Sequence, residues 1–159
     1  MMKTLKLTTF IILVSVILLS GCSRQHYGNF SNLSLDQNSI MAESVASRLS
    51  TLYPPALTKI NMKMDATDAF GKSLINQLRD RGYSVQEYSG KGQDIINDAS
   101  PGESSSYQGS IDLSYIVDGL GIQNFYRVTI NIGKQSISRG FVVDNSGKVS
   151  SAGAWVRKE

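Results

Sequence analysis

The chain has 159 residues, 41% of them hydrophobic, with 16 basic and 13 acidic side chains, one cysteine and one histidine. A single cysteine excludes an intramolecular disulfide framework and a thiolate-rich metal site, and His26 alone excludes a histidine-pair metal motif or a second-histidine relay. The first 21 residues read as a removable signal; without Lys3 and Lys6, residues 22–159 carry 14 basic against 13 acidic groups. So even a balance offers no basic face to displace counterions from phosphates, and no direct nucleic-acid contact is expected. The remaining 138 residues fit one domain of ordinary size.

Met1 to Leu7 hold two lysines and no acid, and Phe10 to Leu19 are apolar except for Ser15. Ten helical residues span about 15 Å, half of a roughly 30 Å hydrocarbon core, which is short for a membrane span and suits a signal-peptide apolar region. Leu19-Ser20-Gly21-Cys22 resembles the bacterial lipobox. That resemblance implies acylation of Cys22 with diacylglyceryl and N-acyl chains, and at about 0.8 kcal/mol per buried methylene two chains already hold a protein on a bilayer. Ser23 follows where an aspartate would signal inner-membrane retention, so the expected address is the outer membrane, with the domain facing the periplasm.

Residues 22–35 are mostly polar and read as a flexible tether, His26 within it as a solvent-exposed imidazole. A single domain over 36–159 is expected to follow. Asp36 or Ser39 caps a first helix, in which Met41, Val45, Leu49 and Leu52 recur at helical spacing beside Ala42 and Ala46. Tyr53-Pro54-Pro55 ends it, since proline lacks the N–H and disfavours helix in the residue before it. Leu57 to Met64 read as a strand whose second half alternates, with Ile60, Met62 and Met64 on one face. Thr67 then caps a helix carrying Phe70, Leu74, Ile75 and Leu78, closed by Gly82, and Tyr83 to Tyr88 resume a strand.

Residues 89–108 are rich in Gly, Ser, Asp and Asn and read as one long loop. Beyond them Ile111, Leu113, Tyr115 and Val117 alternate, as do Tyr126, Val128, Ile130 and Ile132, with a turn at Asp118 to Gly121 between. A third strand is expected near Ser136 to Val143, a turn at Asn145-Ser146-Gly147, and closure of the sheet by Ala154 to Arg157. The expected class is α+β: an N-terminal helix, strand-helix-strand, then an antiparallel sheet of three to four strands packed on the helices.

Chemistry is sparse. Asp112 and Asp118 share the polar side of one strand, yet a turn and a solvated face explain them better than acid–base work. No nucleophile elbow, phosphate-loop lysine or dinucleotide fingerprint occurs. No catalytic residue, cofactor or metal site is therefore expected, and the chain is read as a non-enzyme. The one tryptophan, Trp155, either closes the core or anchors a partner.

The lipobox, Tyr53-Pro54-Pro55-Ala56-Leu57-Thr58, Asp68-Ala69-Phe70-Gly71, Leu74, Leu78-Arg79, Gly82-Tyr83, Tyr126-Arg127-Val128, Ser138-Arg139 and Gly153-Ala154-Trp155-Val156-Arg157 together resemble the TrbH family of conjugal transfer lipoproteins. Segment 89–108 has no counterpart in that pattern. The resemblance implies a structural component of a conjugative type IV secretion core complex. Such a component is expected in a ring-shaped hetero-oligomer beside channel-forming subunits, and exposed strand edges in the C-terminal half could pair with neighbouring subunits by strand addition. Cys22 is the site the resemblance carries over, and Trp155, Arg157 and Tyr53 are the expected partner contacts. Two other readings stay open: a cell-wall-binding lipoprotein, and a surface-blocking lipoprotein that acts on incoming mating cells.

Overall fold

The structure is a computed structural model and describes residues 26–88, 110–121 and 123–158. The expected signal region, Cys22 and the expected loop at 89–108 lie outside the described residues.

Strand β1 (Gly28–Asn29) precedes helix α1 (Leu35–Leu52). Ser34 and Gln37 form a capping box: the Gln37 N–H donates to Ser34 Oγ and the Ser34 N–H to Gln37 Oε1. The helix therefore starts ahead of Asp36 and Ser39, because Ser34 with a glutamine three residues on satisfies two N–H groups at once. Met41, Ala42, Val45, Ala46 and Leu49 are fully buried as the spacing predicts. Asn38 is buried in the same helix; its Nδ2 donates to the Leu33 and Ser34 carbonyls and its Oδ1 accepts from Asn29 Nδ2. This amide stitches the stretch read as a tether onto the domain from β1 onward, while His26 is exposed.

A 3₁₀ turn (Pro55–Leu57) follows, with Leu57 79% exposed, so the expected strand shortens to β2 (Lys59–Met62). Helix α2 (Ala69–Asp80) is capped by Asp68 rather than Thr67 and leads to β3 (Ser84–Gln86). Its C-terminus closes with the Gly82 N–H on the Arg79 carbonyl and the Tyr83 N–H on that of Leu78. Strands β4 (Ser110–Gly119), β5 (Phe125–Ile132), β6 (Gln135–Val143) and β7 (Val149–Lys158) complete the chain.

The expected α+β class, with an antiparallel sheet of three to four strands packed on the helices, is corrected here. The seven described strands form one mixed sheet in the order β3-β2-β4-β5-β6-β7, with β1 also paired to β4, and strand outweighs helix. The β2-α2-β3 unit is a parallel crossover, and β2 pairs in parallel with β4 from Lys59↔Ser110 to Met62↔Leu113. Along the same edge of β4, β1 takes over at Gly28↔Ile116 and Asn29↔Val117. The remaining pairs, β4-β5, β5-β6 and β6-β7, are antiparallel, as short turns require. The inward side chains of the sheet and the stripes of both helices make one core, and the helices cover one face.

Tyr115, fully buried at the middle of β4, donates its hydroxyl to Asp68 Oδ2, while Asp68 Oδ1 accepts the Gly71 N–H at 2.9 Å. One carboxylate thus caps α2 and holds it to the central strand. A Cβ at Gly71 would run into the Tyr115 hydroxyl and stand 2.8 Å from the Ala66 carbonyl oxygen, so only glycine lets the helix approach this closely. Burial first, then the Asp68 carboxylate, push the Tyr115 phenol well above its ordinary range.

Replacing Gly71 by alanine is expected to cost about 1–3 kcal/mol through overpacking, and Tyr115→Phe about 1.5–3 kcal/mol through loss of a bond to a charged group, both read by urea denaturation. A raised phenol pKa stabilises fully below the unfolded value near 10 and progressively less above it. The stability gap between the native protein and Tyr115→Phe therefore narrows above about pH 10, and a gap constant with pH would contradict the assignment.

Candidate interaction surface

The C-terminal edge of the sheet gathers the residues singled out from sequence. Strand β7 pairs with β6 at Ser138↔Val156 and Gly140↔Ala152, so Gly153, Ala154 and Trp155 stand opposite Arg139 alone. Within this bulge the chain passes through a positive φ of 87° at Gly153, a conformation glycine adopts without strain.

Arg139 explains why the bulge holds. Alternation turns it toward the helix layer between buried Ile137 and Phe141, where an arginine is out of pattern. Its Nε donates to the Gly153 carbonyl at 3.0 Å and its Nη1 to Ser44 Oγ of α1 at 3.4 Å. The guanidinium carbon also lies 5.7 Å from the centroid of the Trp155 ring, a cation–π contact. Trp155 is half-buried and packs on the core, so it serves the core and keeps an accessible face.

Helix α1 runs alongside β6. Gln37 near its start donates to the Gly147 carbonyl of the β6-β7 turn, Ser44 meets Arg139, and the Tyr53 hydroxyl after its end donates to Gln135 Oε1 at 2.8 Å. The Tyr53 carbonyl accepts from the Tyr83 hydroxyl, whose pKa burial raises. Tyr53 also lines an open groove of about 570 Å³ with Asp112, Lys134 and Gln135. Arg157 is exposed on β7 opposite Ile137, two residues along β6 from Gln135. Trp155 and Arg157 are thus brought together on β7, Tyr53 stands at the start of β6 beside the β5-β6 turn, and Cys22 lies outside the described residues.

The β6-β7 turn is rigid. Asp144 Oδ1 accepts from the Ser146 N–H, the Ser146 hydroxyl and the Lys148 N–H, and these bonds, the hydroxyl's foremost, hold its carboxyl below the ordinary carboxylate range. Elsewhere Asp112 accepts from Asn61 Nδ2 at 2.8 Å and pairs with Lys63 at 3.7 Å, and Asp118 pairs with Arg127 at 2.6 Å. These two carboxylates are thus committed to neighbours on the sheet. Among the described residues no three His, Cys, Asp or Glu side chains gather as a metal cluster. No described helix is long and apolar enough to cross a membrane.

Sequence reasoning named Ser138-Arg139 and Gly153 to Arg157 as separate signatures; the structure joins them through Arg139. The available signal was a cation at an inward register position. In the same way Asp68 to Gly71 meet Tyr115, and Tyr53 meets Tyr83.

These features define a mixed sheet backed by two helices, whose accessible element is a long strand edge flanked by aromatic and basic side chains. The chain belongs to the TrbH family of conjugal transfer proteins: the family pattern, described as conjugal transfer protein TrbH, matches residues 24–159. No curated protein and no solved structure matches it.

Arg139→Ala is expected to unpin the bulge, red-shifting the fluorescence of the single tryptophan and lowering stability by about 1–2 kcal/mol. Lysine at 139 does not restore the native spectrum, because an ammonium has no planar fork to bond Gly153 and stack on Trp155 together. A native spectrum in Arg139→Ala would show that the arginine does not set the position of Trp155.

Proposed function

We propose that this conjugal transfer protein is an outer-membrane lipoprotein that anchors and stabilises the core complex of a conjugative type IV secretion system. The observation that carries the reading is the juxtaposition of a lipobox ending at Cys22 with a family match that begins at residue 24. Acyl chains on Cys22 confine the domain to the membrane surface. Confinement raises its effective concentration near channel subunits, so modest protein contacts suffice for assembly.

The role requires no catalysis. It is supported by the engagement of Asp112 and Asp118 with neighbouring side chains and by a design that places a rigid strand edge at one side of the sheet. The near-balanced charge of residues 22–159 favours protein partners over the transferred DNA.

Cys22→Ser tests the reading. The native protein is expected to partition into detergent with outer-membrane material and to carry the mass of its acyl chains. The serine variant stays unacylated, and donor cells that make it transfer plasmid at least about tenfold less often, the loss expected when tethering is removed. Full transfer from donors with the serine variant, or an unmodified thiol on the native protein, would contradict it.

A further inference from the structure

We propose that the corner between β1 and α1, with Tyr27, Phe30 and Leu35, is a membrane-contact surface whose apolar side chains set into the headgroup layer of a lipid bilayer. The proposal deepens the anchoring reading and rests on it, since acylation of Cys22 is what brings the bilayer near.

Phe30 is 58% and Leu35 74% exposed, and Tyr27 is 38% exposed. Single apolar side chains at a surface are ordinary, whereas three within nine residues on one fixed corner mark a contact surface. The backbone here has little freedom to fold them away. The Phe30 N–H donates to the Val117 carbonyl at 2.7 Å, and Asn29 Oδ1 accepts both the N–H and the hydroxyl of Ser31. Asn29 Nδ2 in turn donates to Asn38 of α1, and Leu35 opens that helix directly after the Ser34 cap. The Phe30 ring folds back over Gly28, where a Cβ would stand 3.9 Å from its Cζ.

Position along the chain selects the occupant. Tyr27 follows Cys22 by five residues, and an extended chain spans at most about 3.6 Å per residue, so acyl chains on Cys22 hold Tyr27 within about 18 Å of the bilayer. Apolar side chains at such a surface settle about 5–10 Å into the boundary between headgroups and acyl chains. The fold places the corner at one end of the sheet. Asn29 pairs with Val117 near the end of β4, Gln37 brings the β6-β7 turn to the start of α1, and the Val143 N–H donates to the Asn124 carbonyl of the β4-β5 turn. Leu57 lies at the opposite end, two residues before Lys59 pairs with Ser110 at the start of β4. The charges beside the corner do not favour an anionic surface: Asp36 and Asp144 stand there with Lys148, and Arg127 is paired to Asp118. The contact is therefore apolar.

The test uses the full acylated chain in vesicles of phosphatidylethanolamine and phosphatidylglycerol, part of whose lipid carries brominated acyl chains that quench tryptophan at short range. Trp155, held by Arg139 beside the middle of α1, is the internal reference. Phe30→Trp and Leu35→Trp are each expected to add emission that is blue-shifted and quenched by the brominated lipid, whereas the emission added by Leu57→Trp is not quenched. The quenching persists at high salt and without phosphatidylglycerol, as an apolar contact requires. Absence of quenching at positions 30 and 35 in protein that floats with the vesicles, equal quenching at position 57, or quenching lost at high salt would overturn the proposal. So would a blue shift at 30 and 35 in native outer membranes but not in protein-free vesicles, which would assign the corner to a protein partner. A free thiol at Cys22 in protein purified from cells sinks the anchoring reading by itself. A maleimide lipid coupled to that thiol then supplies the tether, and the same quenching pattern decides whether the corner is built for a bilayer.

Discussion

The Tyr115–Asp68 hydrogen bond is the contact on which the remaining architecture depends. Among the described strands β4 alone has three partners, since β1 and β2 share one of its edges and β5 takes the other. Its central side chain, Tyr115, reaches the carboxylate that starts α2, and α2 is the crossover that makes β2 and β3 parallel. The β2-β4 and β1-β4 ladders join the N-terminal parallel half to the C-terminal antiparallel half, and this bond holds the crossover helix onto the strand where they meet. Gly71 is the corresponding constraint on shape: the hydroxyl occupies the space that a side chain there would need.

A second polar contact closes the other flank. Arg139 spends a guanidinium on a carbonyl, a hydroxyl and an indole face, tying β6, the β7 bulge and α1 into a rigid corner. On the proposed assembly role, a pre-shaped edge would order fewer groups on meeting a partner. The two contacts divide the labour: one fixes α2 on the central strand, the other shapes the last strand.

Local structure was legible in the sequence wherever a periodic apolar stripe met a packed face. Met41 to Leu49, Phe70 to Leu78 and the alternations of β4 and β5 are buried as their spacing predicts. Sheet order was not legible, because β1, β2 and β3 are two to four residues long and pair with partners remote in sequence, where periodicity carries no information. Polar residues inside the pattern hid the rest. Asn38 and Arg139 occupy inward positions for reasons of hydrogen bonding, and Ser34 caps α1 through a glutamine within the helix. Of the expected contact residues, Trp155 and Arg157 share β7 while Tyr53 meets the start of β6, placements set by the register and the helix packing that no linear motif encodes.

The proposed lipid anchor at Cys22 and the strand edge at β7 are both addressed by one measurement in mating donor cells. A photo-crosslinking amino acid placed at Val156 is expected to trap a channel-forming subunit of the transfer apparatus when position 22 is cysteine, and to lose that adduct when it is serine. An adduct of equal yield with serine at 22, or one formed instead from Gln86 on the opposite edge of the sheet, would contradict it.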